Sequence, residues 1–425
     1  MAERPLLVTL YLLLARVCTP VYHLLHLSRL RGGKDDPTRR GERFGKASVA
    51  RPQGKLIWVH AASVGETNSI LPLIESLVAR GLPVLLTTVT RTSAEIAEKR
   101  LPDGALHQYA CFDHPSYWKR FLDHWRPALS IMVESEIWPA CFEALKMAGC
   151  PICLVNGRMS DRSFRNWSKL GKNAHHVFGS INLALAQSPA DAERLAKLGC
   201  KHVEQPGNLK FDAVPARADR SAVEALRQAI AERPIWLAAL THPGEDEIAV
   251  QAHAALLKAN PDLLLILVPR HPARFDTVER LVEEAGFKSQ CRSRDHLPDA
   301  SAQVFIGDTL GEMSIYYDVS KVVFLAGSFA LVGGHNPVEA ASFDCAIVTG
   351  PKVANARTIY RTLWDEEVTL RLDDPQELHA MIGGLLDDPE RCERYAQRAK
   401  QFIETERGAL DRSLALLAPY LSSEK

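Results

Sequence analysis

Leu56-Ile57-Trp58-Val59-His60-Ala61-Ala62-Ser63-Val64-Gly65-Glu66 decides the architecture of this chain. Four apolar residues run into a small-residue turn. Ile70, Leu71, Ile74, Leu77 and Val78 then recur at helical spacing. This is strand, glycine turn and helix, the first step of a parallel α/β sheet. Glu66 falls where the helix starts, at the carboxyl edge of the strand, where open α/β sheets place their ligands. A carboxylate there acts as a general base or as a cap that complements the helix dipole. Position alone leaves both open.

The alternation continues outward. Strands are predicted over Lys55–His60, Val84–Val89, Leu129–Val133, Ile152–Asn156 and Leu183–Gln187, with helices over Arg91–Arg100, Trp138–Ala148, Ser163–Val177 and Pro189–Leu198. The apolar pattern lapses around Pro215–Arg220, which sets a domain boundary. A second series follows: strands Ile235–Leu240, Leu263–Val268, Gln303–Ile306, Lys321–Leu325, Ala346–Thr349 and Val368–Leu372, with helices Glu245–Ala259, Phe275–Ala285 and Val338–Phe343. The division is an amino-terminal helix over 1–30, one α/β half over 31–218 and another over 219–425. Whether the last helix returns to the first half stays open. A nicotinamide-binding domain would need G-x-G-x-x-G after a strand, and neither half has a clean match.

Composition narrows the class. The 425 residues are 46% hydrophobic and 24% charged, the balance of a globular protein. Lys+Arg and Asp+Glu are both 51, and that neutral total gives no argument for nucleic acid. Nine scattered cysteines fit buried thiols in a reducing compartment, and the lone Cys150-Pro-Ile-Cys153 lacks visible metal partners.

The stretch Leu6–Leu27 is the most apolar, but Arg16, Pro20, His23 and His26 interrupt it. A spanning helix wants about 20 apolar residues. No small-residue cleavage site follows. An uncleaved anchor or a helix lying in the membrane interface is expected, with a buried first helix as the alternative. Arg29, Arg31, Lys34, Arg39, Arg40 and Arg43 follow, a cluster that would hold the chain on the cytoplasmic side and attract anionic lipid.

Several segments carry chemistry. Glu134-Ser-Glu136 ends the third predicted strand, with one acid expected toward the cleft and one away; alternatively, Glu136 caps the next helix and Glu134 pairs with an Arg. Lys210 in Gly207-Asn-Leu-Lys-Phe-Asp212 lies just before the boundary, where a lysine either meets an anion or is simply a solvated loop residue, the commoner case. Pro269-Arg270-His271-Pro272 ends an apolar strand, and Arg270 offers a bidentate fork for phosphate or carboxylate. Gly307-Asp-Thr-Leu310-Gly311-Glu312 allows close backbone approach. In Gly333-Gly-His-Asn336-Pro337-Val338-Glu339, Asn336 as N-cap and Pro337 at the first helical position would make an anion site, with Glu339 one turn in for ribose hydroxyls.

Together these segments resemble the Kdo transferases, which attach 3-deoxy-D-manno-octulosonic acid (Kdo) to the lipid A precursor. The family-like stretches span nearly the whole chain: RRGERFG at 39–45, HAASVGE at 60–66, VESEIWP at 133–139, NGRMSDRS at 156–163, KLGK at 169–172, GNLKFD at 207–212, THPGEDE at 241–247, LLLILVPRHPARF at 263–275, GDTLGEM at 307–313 and GGHNPVEAA at 333–341. The departures, GNLKFD for GSLKFD and THPGED for THEGEE, replace no proposed catalytic residue.

The resemblance implies a GT-B glycosyltransferase: two Rossmann-like domains facing across a cleft, with an amino-terminal membrane-associated helix. It implies that Glu66 is the general base, that Glu134 and Lys210 stabilise the transition state, and that Pro269, Arg270, Leu310, Gly311, Glu312, Asn336, Pro337, Val338 and Glu339 bind CMP. The expected partners are CMP-Kdo, the lipid A precursor and inner-membrane lipids, at the cytoplasmic face of the inner membrane. No cofactor is expected. The bond broken joins sugar to a single phosphate, and the sequence shows no DxD-type cluster, so no metal is expected either. The rivals are a GT-B-type nucleotide-sugar epimerase or another glycosyltransferase, and a non-enzymatic membrane-bound binding protein.

Overall fold

Strand β1 (Ile57–His60) pairs in parallel with β2 (Val84–Thr88) on one side and β4 (Leu129–Val133) on the other. With β3 (Ala105–Tyr109), β5 (Ile152–Gly157), β6 (Leu183–Ala186) and β7 (Val203–Glu204) they form a seven-stranded sheet of order β3-β2-β1-β4-β5-β6-β7. The chain order reverses between β1 and β4. That is the switch point where open parallel sheets leave a crevice at their carboxyl edge. Strands β1, β2, β4, β5 and β6 are buried at every position, as a parallel sheet covered on both faces requires.

The computed structural model describes residues 4–212, 218–354 and 357–422. The boundary expected around Pro215–Arg220 therefore lies largely outside the described residues. By its contacts the chain divides into two units, Met1–Ala213 with Glu406–Lys425, and Val214–Thr405. The second unit holds its own seven-stranded parallel sheet, of order β10-β11-β9-β8-β12-β13-β14. Its strands are β8 (Ile235–Thr241), β9 (Leu264–Pro269), β10 (Ser289–Cys291), β11 (Val304–Ile306), β12 (Val322–Leu325), β13 (Ala346–Thr349) and β14 (Leu370–Arg371). Here the switch point lies between β8 and β12.

Strands β3, β7 and β10 are additions to the sequence reading. They are short or only partly buried, so they lack the apolar run that marks the others. The helix expected over Ser163–Val177 is two, Asp161–Ser168 and Lys172–Phe178, separated at Gly171 with φ 49°.

The first unit begins with α1 (Leu6–Val17) and α2 (Thr19–Arg31), bent by 65°. Val8, Leu12 and Ala15 are buried, and the Tyr11 hydroxyl donates to Asp113 at 2.7 Å. Asp113 also accepts from Trp118 Nε1 and from the amides of Ala140 and Cys141. One carboxylate thus fastens α1 to helices Pro115–Trp125 and Pro139–Ala148. The other face of α1 and α2 shows Leu6, Leu7, Leu13, Leu14, Val17 and Leu24 to solvent. No single helix among the described residues is long and apolar enough to cross a membrane; the bent pair together passes on length and composition.

Half of the basic cluster after α2 is structural. Arg43 is buried and reaches Asp35 at 2.5 Å, Arg29 also holds Asp35, and Arg39 holds Glu42. Gly45 closes this segment at φ 75°, where a Cβ would run into the Tyr117 carbonyl. At the other end of the chain, helix Ala409–Ser422 joins the first unit: Leu414 and Leu417 enter the core beside Ile70 and Ile74. Asp212 accepts from the amides of Gly408 and Leu410, each at 2.6 Å.

Candidate active site

Helix α3 (Val64–Ala79) starts where β1 ends. Ser63 is its N-cap, with Oγ accepting from the Glu66 amide. In return Glu66 Oε1 accepts from the Ser63 hydroxyl at 3.1 Å, and Oε2 from the Ala62 amide at 2.7 Å. The capping reading is therefore true of the geometry. The Ala62 amide favours the ionised carboxylate, as a helix start does, but it is outweighed. Burial, then the nearby charges of Glu136 and Glu134, push the Glu66 pKa up to about 7.

Both of those acids follow β4, across the switch point from β1. The expectation of one facing in and one away fails: residues two apart share a face under strand alternation, and both carboxylates act on Glu66, although the strand itself ends at Val133 and Glu134 takes a left-handed backbone, φ 54°. A non-glycine residue in that region costs about 1–3 kcal/mol and is held by its surroundings. Here the Glu134 amide donates to Val155 O and its carbonyl accepts from the Arg158 amide. Glu134 Oε1 lies 2.6 Å from Lys210 Nζ, with the two side chains 8% and 19% exposed. Lys210 sits in a short 3-10 turn set by Asn208, whose Oδ1 accepts from the Lys210 amide.

Glu136 accepts from Trp138 Nε1 at 2.6 Å and lies 3.2 Å from His60 Nε2. Burial works against its ionised form, but these two donors hold it below the ordinary carboxylate range. His60 Nδ1 is 2.9 Å from Thr87 Oγ1, which accepts from Trp58 Nε1. From the sequence Glu136 is one of two strand-edge acids or a helix cap, and His60 has no role. The first unit thus gathers Glu66, Glu134 and Lys210, adds His60 and Glu136, and separates two kinds of carboxylate: two with a lysine or ring N–H partner and one, held by a backbone amide and a hydroxyl, poised near neutrality.

The second unit's residues meet at its own switch point. Glu245, at the start of the helix after β8, is 1% exposed. It accepts from the amides of Gly327 at 2.7 Å, Phe329 at 2.8 Å and His242 at 3.1 Å. It thereby ties the glycine loop after β12 to β8, a role the sequence reading missed. An acid opening the helix beside a switch point was the available signal. Gly327 has φ 73°, and a Cβ there would meet the His335 ring. His335 stacks on His242, which meets His271 edge-on beside Arg270. Burial, then His242 and Arg270, lower the His335 pKa to about 4. Pro269, Arg270 and the 333–339 loop are thus brought together.

Two expectations change. The helix after the loop starts at Val338, with Pro337 as N-cap, and runs only four residues. Asn336 still accepts from the Val338 amide, at 3.2 Å, but one turn carries little dipole. Leu310, Gly311 and Glu312 lie past β11, and Glu312 is held by Arg292 at 2.8 Å, which lowers its pKa. Burial raises that of Glu339.

Residues 38–213 match the family model described as 3-deoxy-D-manno-octulosonic-acid transferase (kdotransferase). The 3-deoxy-D-manno-octulosonic acid transferase of Haemophilus influenzae is 36% identical over 384 residues, covering 89% of this chain and 90% of that one. The chain belongs to the Kdo transferase family. The Kdo transferase of Bordetella pertussis is 33% identical, covering 89% of this chain and 91% of its own. Among solved structures, the UDP-GlcNAc 2-epimerase of Neisseria meningitidis aligns with TM-score 0.57 over 87% of this chain and 100% of that one, at 14% identity. That likeness is one of fold, and it agrees with the GT-B class expected from the sequence.

Proposed function

We propose that this Kdo transferase moves Kdo from CMP-Kdo to the 6′-hydroxyl of the lipid A precursor with inversion, and that Glu66 is the base. The observation that carries the assignment is the buried Glu66 carboxylate held at the switch point by the Ala62 amide and Ser63 hydroxyl, where burial and the charges of Glu136 and Glu134 push its pKa up to about 7. A base poised near the working pH combines a usable ionised fraction with real proton affinity. Glu66 accepts the hydroxyl proton as the oxygen lone pair attacks the anomeric carbon. The bond to the phosphate oxygen breaks, and its electron pair leaves with CMP.

Lys210 and Glu134 form a fixed dipole beside the base. Such preorganised charge acts on the cation that develops next to the Kdo carboxylate. In the second unit, Arg270 and the amide-lined loop held by Glu245 suit the departing CMP phosphate, and Glu339 suits its ribose. Exposed Arg162, Arg165, Lys169 and Lys172 follow β5 in the first unit, and they suit the phosphates of a lipid acceptor.

The apolar exposed face of α1 and α2 supports an interfacial seat at the cytoplasmic face of the inner membrane. Arg31, Lys34 and Arg40 are the cluster members that make no salt bridge among the described residues, and they suit anionic headgroups.

The test is transfer from labelled CMP-Kdo to tetra-acylated precursor by wild type and Glu66→Gln. Loss of transfer in a folded variant is expected. Wild-type rates in the variant would refute the base, and no CMP release by wild type would refute the donor.

A further inference from the structure

A cavity in the first unit plays no part in the transfer reaction. It lies in the first unit among α1 and helices Pro115–Trp125 and Pro139–Ala148, and encloses about 390 Å³. Small-ligand pockets span about 300–1,000 Å³. Leu12, Leu122, Ala144 and Met147 supply apolar walls, and Met147 is 80% exposed. Three cations line the same cavity. Arg4 is paired with Glu143 and Lys119 with Asp123, each at 2.7 Å. Arg16, in the last turn of α1, makes no salt bridge among the described residues.

An apolar slot with one unneutralised guanidinium matches an amphiphile with a hydrocarbon chain and a single anionic head. The slot is walled by the helix that shows Leu13, Leu14 and Val17 to solvent. We propose that this cavity holds one acyl chain of an anionic glycerophospholipid, with the headgroup phosphate on the Arg16 guanidinium. Arginine's planar fork suits phosphate bidentately, and Met147 at the mouth is the adaptable side chain such a slot needs. The inference rests on the interfacial reading of α1 and is independent of the catalytic assignment.

The test uses the full chain with vesicles of phosphatidylcholine alone or mixed with phosphatidylglycerol, each carrying a trace of its own lipid with a photoactivatable acyl chain. The phosphatidylglycerol probe is expected to label Leu122, Ala144 and Met147. Arg16→Gln should lower that labelling by about tenfold, the scale of one charge-assisted contact. Ala148→Trp, at the exposed rim, should block it without disturbing the core, and Ala144→Trp should do so from inside. Vesicle flotation is read in parallel. A chain that fails to float overturns the interfacial reading and the proposal with it. A chain that floats but is labelled only on Leu13, Leu14 and Val17 overturns the cavity proposal alone. Equal labelling by both lipids, or displacement of the probe by stoichiometric lipid A precursor, also overturns it.

Discussion

Lys210 Nζ lies 2.6 Å from Glu134 Oε1, although Glu134 follows β4 and Lys210 comes only after β7. The lysine offsets a carboxylate whose charge raises the Glu66 pKa. Lys210→Ala leaves Glu134 uncompensated, so Glu66 holds its proton to higher pH. The acid limb of the rate profile, near pH 7 in wild type, moves up, and kcat falls by about 10²–10³-fold through lost charge stabilisation. A pH–rate profile of the variant checks both.

Glu66 also bears on stability. Its pKa rises from 4.5 unfolded to about 7 folded. Folding therefore favours the protonated form. The stability this gives is full below about pH 4.5 and is lost as pH rises to about 7. Glu66→Gln removes that loss and keeps an acceptor for the Ala62 amide. The variant should be more stable than wild type at pH 8 by up to about 3 kcal/mol, with the difference narrowing towards pH 4.5. Thermal unfolding at the two pH values measures it, while transfer falls by about 10²–10⁴-fold.

Glu245→Gln puts an NH₂ group among backbone N–H donors. At least one buried amide then loses its acceptor, at about 1–3 kcal/mol. The loop from Gly327 to Gly334 loosens. The expected result is a lower Tm and a CMP affinity at least about tenfold weaker, the equivalent of about 1.4 kcal/mol. Calorimetric titration with CMP reads the affinity, and Glu247→Gln, on the exposed cap of the same helix, serves as control.

Tyr11→Phe takes one donor from Asp113, a buried carboxylate whose pKa burial already raises. The cost is about 1–2 kcal/mol, and it falls on the seat of α1. Hydrogen exchange should quicken in α1 and at the Ala140 and Cys141 amides, with β4 unchanged.

The strand-turn-helix at 56–78 could be read directly because each part has a local cause: an apolar run, a small-residue turn and helical spacing. The same holds for the strands buried on both faces. Glu66 was legible as a position, and its family resemblance named the role. Its titration was not, since that depends on burial and on Glu134 and Glu136, carried by a different strand, coming close to it. The Lys210–Glu134 pair and the Glu245 cradle join residues distant in sequence, so no spacing reveals them. The basic cluster misled for a related reason: Arg29, Arg39 and Arg43 look solvated until Asp35 and Glu42 are seen beneath them.

The helix Ala409–Ser422 brings the chain back to the core of its first unit. On the ribosome the chain emerges from its amino terminus, and domains fold as units when their residues are available. The second unit is continuous, and all of it precedes that helix. The unit that bears Glu66 therefore starts before the second unit and is completed after it. A nascent chain arrested before Ala409 would present a finished second unit and a first unit whose core still lacks Leu414 and Leu417.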